Sequence, residues 1–291
     1  MTENTGFTPD DPPGGVPHSR IDALVRLLGD EDPKICAVAW DNLEKIGEPA
    51  LPLLEEAVRI SDDNRVRVQS GRFLKEWSRR EVFRRWVQFC KRGRFDLEEG
   101  ALLVAQSEYP DMDVLQYKRM LDGFASALRG RLATARTTDD AVRKVSALLF
   151  GEVGFEGNAA DYYNPDNSYL NRVLEMRKGI PISLATVYLL VARRTMVPVE
   201  GVNMPQHFLL KYRGSLGDVF VDVFHGGKLL TVRDCARFLS EARIPFQEEL
   251  LRSVPDSEVL TRMLGNLLRI YLNADDKRRY DRVAAMLKLL D

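Results

Sequence analysis

The chain has 291 residues, 45% of them hydrophobic and 29% charged, with a formal net charge of −1. That balance suits one large core or two modest ones and argues against wholesale disorder. A near-neutral chain is not built as a whole to attract nucleic acid or anionic membrane. Three cysteines, Cys36, Cys90 and Cys235, are scattered without ligand-like spacing, so neither a disulfide framework nor a zinc site is expected. Each is read as a small buried hydrophobe in a helix. The opening MTENTGFTPDDPPGGVPHSR has no apolar stretch and does not read as a secretory signal. No apolar run approaches the ~20 residues of a membrane span. The expectation is a cytoplasmic protein that requires no cofactor or metal.

In chain order, residues 1–19 read as a Pro/Gly-rich tail. A helical pattern then begins and repeats. Leu24, Leu27 and Leu28 form a stripe before the turn Asp30-Glu31-Asp32-Pro33, and a second helix carries Ile35, Val38, Ala39 and Leu43. Further on, Leu54, Ala57 and Val58 precede the turn Asp62-Asp63-Asn64, followed by Val66, Ser70 and Leu74. Two helices, an acidic turn and a period of about thirty residues resemble short HEAT-type repeats, which stack because one unit cannot cover its own apolar face. This helical region is expected over residues 20–94. Its last helix has Phe83, Trp86, Val87 and Cys90 on one face.

Residues 65–94 hold eleven Lys/Arg against two Glu. This basic stretch is either a docking face for an acidic partner or a nucleic-acid backbone, or a solvated face balanced by acids elsewhere. The neutral whole-chain charge favours the second.

From residue 95 the pattern predicts helices at 97–107, 113–134 and 138–152, a loop at 154–168, a short helix from Tyr169 to Met176 and an apolar helix from Ser183 to Thr195. It then switches to period two at Val199–Asn203, His207–Tyr212, Asp218–Phe224 and Lys228–Thr231, with turn dipeptides at Gly214-Ser215 and Gly226-Gly227. Helix 232–242 follows. A helical pair broken at Asn273-Ala274-Asp275-Asp276 occupies 256–291 and is similar to one tetratricopeptide unit. The expected class is α+β, mostly helical, with a small antiparallel sheet.

Three histidines are available. His18 lies in the tail and His225 beside a Gly-Gly turn, where exposure is expected. His207 differs. If Gly214-Ser215 is a two-residue turn, His207 falls directly opposite Asp222, close enough for the carboxylate to orient the imidazole. Ser183 follows Pro181 at the apolar helix start, where a nucleophile feels the positive end of the helix dipole. A hydroxyl gains less there than a thiol and needs a neighbouring base to react, and serine is also an ordinary N-cap.

The stretch Asn164-Pro165-Asp166-Asn167-Ser168-Tyr169-Leu170 runs into Gly179-Ile180-Pro181-Ile182-Ser183-Leu184. It continues through Gly201-Val202-Asn203, His207-Phe208-Leu209 and Val221-Asp222 to Gly226-Gly227. This pattern resembles the SirB-type transglutaminase-like family, a relative of the transglutaminase and papain-like fold. The likeness covers residues 95–291, with the transglutaminase-like domain at 95–255; a similar domain is found in some F-box proteins. It implies that Ser183, His207 and Asp222 occupy the places of a Cys-His-Asp triad, with serine where the active enzymes carry cysteine. It also marks Asn164, Asn167, Tyr169 and Asn203 as candidate binding residues. Three positions depart from the family: Met196 and Gln206 stand where glycine is usual, and Val223 where proline usually follows the aspartate. The missing thiol favours a non-catalytic module that binds a protein or peptide. The alternatives are a serine-dependent amidase or peptidase using Ser183-His207-Asp222, and binding of an acidic partner or nucleic acid through residues 65–94.

Overall fold

The computed structural model describes residues 16–290, so the expectation for residues 1–15 lies outside it. From His18 onward the expected tail is already helical. The chain divides into two compact units between Glu81 and Val82. The division falls inside a helix, ahead of the boundary at 94/95 that the pattern suggested, because the apolar face of that helix serves one core early and another late.

The first unit contains α1 (His18–Leu27), α2 (Pro33–Ile46), α3 (Leu51–Ile60) and the opening turns of α4 (Asn64–Lys91). Asp32 starts α2: its carboxylate accepts the Lys34 N–H and Pro33 takes the first helical position. Gly47, at φ 78°, ends it. Ile21, Val25, Leu28, Ala39, Leu43, Ala50, Leu54, Val66 and Phe73 form the core. Part of the expected stripe faces outward instead: Leu27, Ile35, Val38 and Val58 are exposed. A run of apolar residues fixes that a helix is amphipathic more firmly than which edge of its stripe is covered.

In the second unit the later turns of α4 supply Val82, Trp86 and Phe89 to the core. They are joined by α5 (Leu97–Glu108), α6 (Val114–Leu132) and α7 (Thr138–Ser146), which continues into a π-helical turn at 147–152. The short α8 (Leu170–Met176) precedes the central helix α9 (Pro181–Arg194). Every residue from Pro181 to Ala192 is buried, as an all-round apolar helix requires. Two short strands, β1 (Glu156–Gly157) and β2 (Lys178–Gly179), pair in parallel. The antiparallel sheet runs β3 (Glu200–Val202), β4 (Leu209–Gly214), β5 (Gly217–Asp222), β6 (Lys228–Leu230) in that order. Behind it, α10 (Val232–Glu241) covers Val202, Leu209 and Phe220 with Cys235 and Leu239. The hairpin α11 (Asp256–Asn273) and α12 (Lys277–Leu287) closes the unit, and the Trp86 indole donates to the Met286 carbonyl at 2.9 Å. Of the three cysteines only Cys235 is buried; Cys36 and Cys90 are half-buried.

The sheet corrects one register. Gly214 pairs with Gly217, so Ser215-Leu216 is the two-residue turn, not Gly214-Ser215. The pairing slips by two residues, and His207 lies ahead of β4 rather than within it. A two-residue slip keeps every side chain on its original face, because strand periodicity is two.

Candidate functional site

His207 and Asp222 meet despite the altered register. Asp222 ends β5 and caps the short 3-10 turn 223–225, its Oδ1 accepting the backbone N–H groups of Phe224 (3.1 Å) and His225 (3.3 Å). Val223 takes the first position of that turn and is buried. His207 Nε2 lies 2.9 Å from Asp222 Oδ1, and both side chains are buried. On the other carboxylate oxygen, His225 Nδ1 sits 2.7 Å from Oδ2. Burial works to raise the Asp222 carboxyl, but hydrogen bonds and charge from His207 and His225 outweigh it and hold its pKa at about 2. Asp222 is therefore an anion that orients two imidazoles.

His225 was read from the sequence only as an exposed turn residue. Exposed it is, with 63% of its side chain accessible, yet it belongs to the cluster. The legible signal was the spacing Asp-x-x-His, which one helical turn brings to a single face. The ligand atoms of His207, Asp222 and His225 all lie within 4.8 Å of one another, so the trio could hold a divalent cation. Such an ion would take the place of the two histidine–carboxylate hydrogen bonds.

Ser183 has a different environment. It is not the N-cap of α9: Ile180 is, and Ser183 stands three residues later. Its hydroxyl donates to the Asn167 carbonyl at 2.5 Å, has the Ile180 carbonyl at 3.1 Å, and accepts the Ile180 N–H at 3.1 Å. Only 1% of the residue is accessible. Gly179 closes over it so tightly that a Cβ there would lie 2.6 Å from Oγ. Among the described residues, no hydrogen bond joins Ser183 to His207. The structure thus brings His207 to Asp222, while the single proton of Ser183 is directed at a backbone carbonyl rather than a base.

The four candidate binding residues are tied into the scaffold. Asn164 caps the 3-10 turn 165–167 and donates to Asp161 Oδ2 at 2.9 Å. Asn167 is buried, donating to the Asp161 carbonyl at 2.6 Å and accepting from Asn158 Nδ2 at 2.9 Å. The Tyr169 hydroxyl meets that of Tyr271 at 2.5 Å, and burial raises it well above its ordinary pKa. Asn203 accepts from Arg262 Nη1 at 3.1 Å. Asn164 and Asn167 brace the loop 158–168, whereas Tyr169 and Asn203 tie their segments to α11.

The two departures from glycine have a backbone signature. Met196 and Gln206 adopt φ of 59° and 62°, the left-handed region that glycine enters without strain. In the basic stretch, Arg65, Arg79, Arg80 and Arg92 each meet a carboxylate, from Glu31, Glu76, Glu44 and Glu99 respectively. No helix among the described residues is long and apolar enough to cross a membrane.

Comparison with known proteins places these residues in a wider group. Residues 115–265 match the profile of the Transglutaminase-like superfamily. A UPF0162 protein of Xylella fastidiosa (strain Temecula1) is 37% identical over 194 residues, covering 65% of this chain and 68% of the relative. A UPF0162 protein of Pseudomonas aeruginosa is 30% identical over 187 residues, 62% of this chain and 66% of the relative. F-box only protein 21 of Mus musculus is 40% identical over 134 residues, 43% of this chain but 21% of that protein. No solved structure matches the chain.

Proposed function

The chain belongs to the transglutaminase-like superfamily and the UPF0162 family, and from that starting point we propose that it is a non-catalytic protein-binding module of the SirB-type branch. The observation that carries this reading is the state of Ser183. An acyl-transfer nucleophile needs an exposed atom and a base within hydrogen-bond reach. The Ser183 oxygen is sealed under Gly179 and donates its proton to the Asn167 carbonyl. The His207–Asp222 pair keeps the geometry of an oriented base, yet among the described residues no hydrogen bond joins the Ser183 hydroxyl to it. In the same proposal α1–α4 are short HEAT-like repeats and α11–α12 a tetratricopeptide-like hairpin, elements that commonly offer surfaces to other proteins.

The test is fluorophosphonate labelling and amide turnover by purified protein, beside Ser183→Ala and His207→Gln. No labelling or turnover above the two variants is expected. Turnover that is lost in both variants while their circular dichroism stays native would overturn the proposal in favour of a serine-dependent amidase.

A further inference from the structure

A cleft of about 410 Å³ opens beside the start of α9, lined in part by Tyr162, Tyr163, Ile180, Gln206, Arg262 and Arg269. Ile180 is the N-cap of α9, and Gln206 directly precedes His207, so the cleft adjoins the triad-equivalent positions. Arg262 and Arg269 stand seven residues apart on α11 with Asn266 between them, a spacing that sets all three on one helical face. Neither arginine forms an ion pair among the described residues, and the one hydrogen bond of Arg262 goes to the neutral Asn203 amide. By contrast Arg193, Arg194, Arg252, Arg279 and Arg282 all reach carboxylates.

Two guanidinium groups in one concavity repel each other, and a half-buried one also loses hydration. Burial and the nearby Arg269 charge indeed push Arg262 below its ordinary pKa. An anion placed between the two guanidinium groups would offset both effects. The same cleft also offers chemistry of another kind. Tyr163 is exposed, and Tyr162 packs edge-on against both Tyr163 and Phe224. A bare oxyanion would leave that aromatic and aliphatic wall unused, whereas a peptide brings apolar atoms beside its carboxylate.

We propose that this cleft is a recognition site for an acidic peptide segment, whose carboxylate is gripped by Arg262 and Arg269 while its neighbouring residues lie on Tyr162, Tyr163 and Ile180. The planar fork of arginine matches a carboxylate in a two-bond arrangement. The inference rests on the protein-binding reading and adds the chemistry of what is bound. It also gives the lost nucleophile a context, since the groove beside α9 retains a binding end without a cleaving one.

The experiment is fluorescence anisotropy on the full chain with a short fluorescein-labelled peptide alternating glutamate and leucine, beside the same peptide carrying glutamine. The glutamate peptide is expected to bind about tenfold tighter. Arg269→Gln, at an exposed position, should abolish that preference. Arg262→Lys keeps the charge and loses the fork, and should weaken binding by roughly threefold or more. Undiminished glutamate-peptide binding by both variants would overturn the cleft assignment and leave the protein-binding reading standing. Equal binding of both peptides by the wild type, or no binding, would also overturn it. Displacement by inorganic phosphate at concentrations where free acetate has no effect would assign the cleft to a phosphate group and refute the peptide. Serine-dependent turnover, by contrast, removes the protein-binding reading itself, so the two failures are distinguishable.

Discussion

Replacing Ser183 by alanine separates a structural hydroxyl from a reactive one. The substitution removes the donation to the Asn167 carbonyl and the acceptor of the Ile180 N–H, at 2.5 and 3.1 Å. What remains for the Ile180 N–H is a long 3.4 Å contact with the Asn167 carbonyl. Two buried hydrogen bonds at about 1 kcal/mol each, in a site closed to replacement water, give a loss of about 2 kcal/mol. Trp86 is the reporter, being fully buried in the second unit, and Trp40→Phe with Trp77→Phe silences the other two indoles. In urea, with a slope of about 2–3 kcal/mol per molar, the Trp86 transition should move down by about 0.7–1 M at unchanged slope. A midpoint shift below about 0.2 M would show that the hydroxyl contributes less than about 0.6 kcal/mol, and the argument from its hydrogen bonds would fail.

Other consequences can be measured in the same way. Asp222 has a folded pKa of about 2 against an ordinary 3.8, so its stabilisation is complete above the higher value and disappears as pH falls through the lower. The difference amounts to about 2 kcal/mol; Asp222→Asn should therefore be less stable than wild type at pH 6 and converge with it near pH 2, and parallel acid profiles would refute the assignment. Met196→Gly and Gln206→Gly should each stabilise by about 0.5 kcal/mol, the relief of left-handed strain less the added freedom of the unfolded chain. A drop in melting temperature for both would contradict this. Gly157→Ala would place a Cβ 2.5 Å from the Phe224 carbonyl, a backbone atom of the turn that carries His225. It should cost about 1–3 kcal/mol and disturb the histidine NMR signals, and an unperturbed spectrum would argue that β1 does not support the turn.

Much of the site can be read from the residues themselves. The switch from helical to strand periodicity after Val199 and the apolar run of α9 fix a central helix followed by a small sheet, because burial pattern depends on local period. The meeting of His207 and Asp222 survived an error in the turn, since face alternation tolerates a two-residue slip. Met196 and Gln206, which stand where the resembled family usually has glycine, both adopt positive φ. What only the tertiary structure decided depends on groups far apart in the chain. The direction of the Ser183 hydroxyl is set by the Asn167 carbonyl sixteen residues earlier. The division inside α4 depends on which core each of its turns covers, and no local pattern encodes that. Arg262 and Arg269 look like any solvated helical face in sequence. Their lack of carboxylate partners among the described residues, and the cleft they share with Tyr162 and Tyr163, arise only when distant segments pack, because electrostatic pairing is a property of distance in space rather than of spacing along the chain.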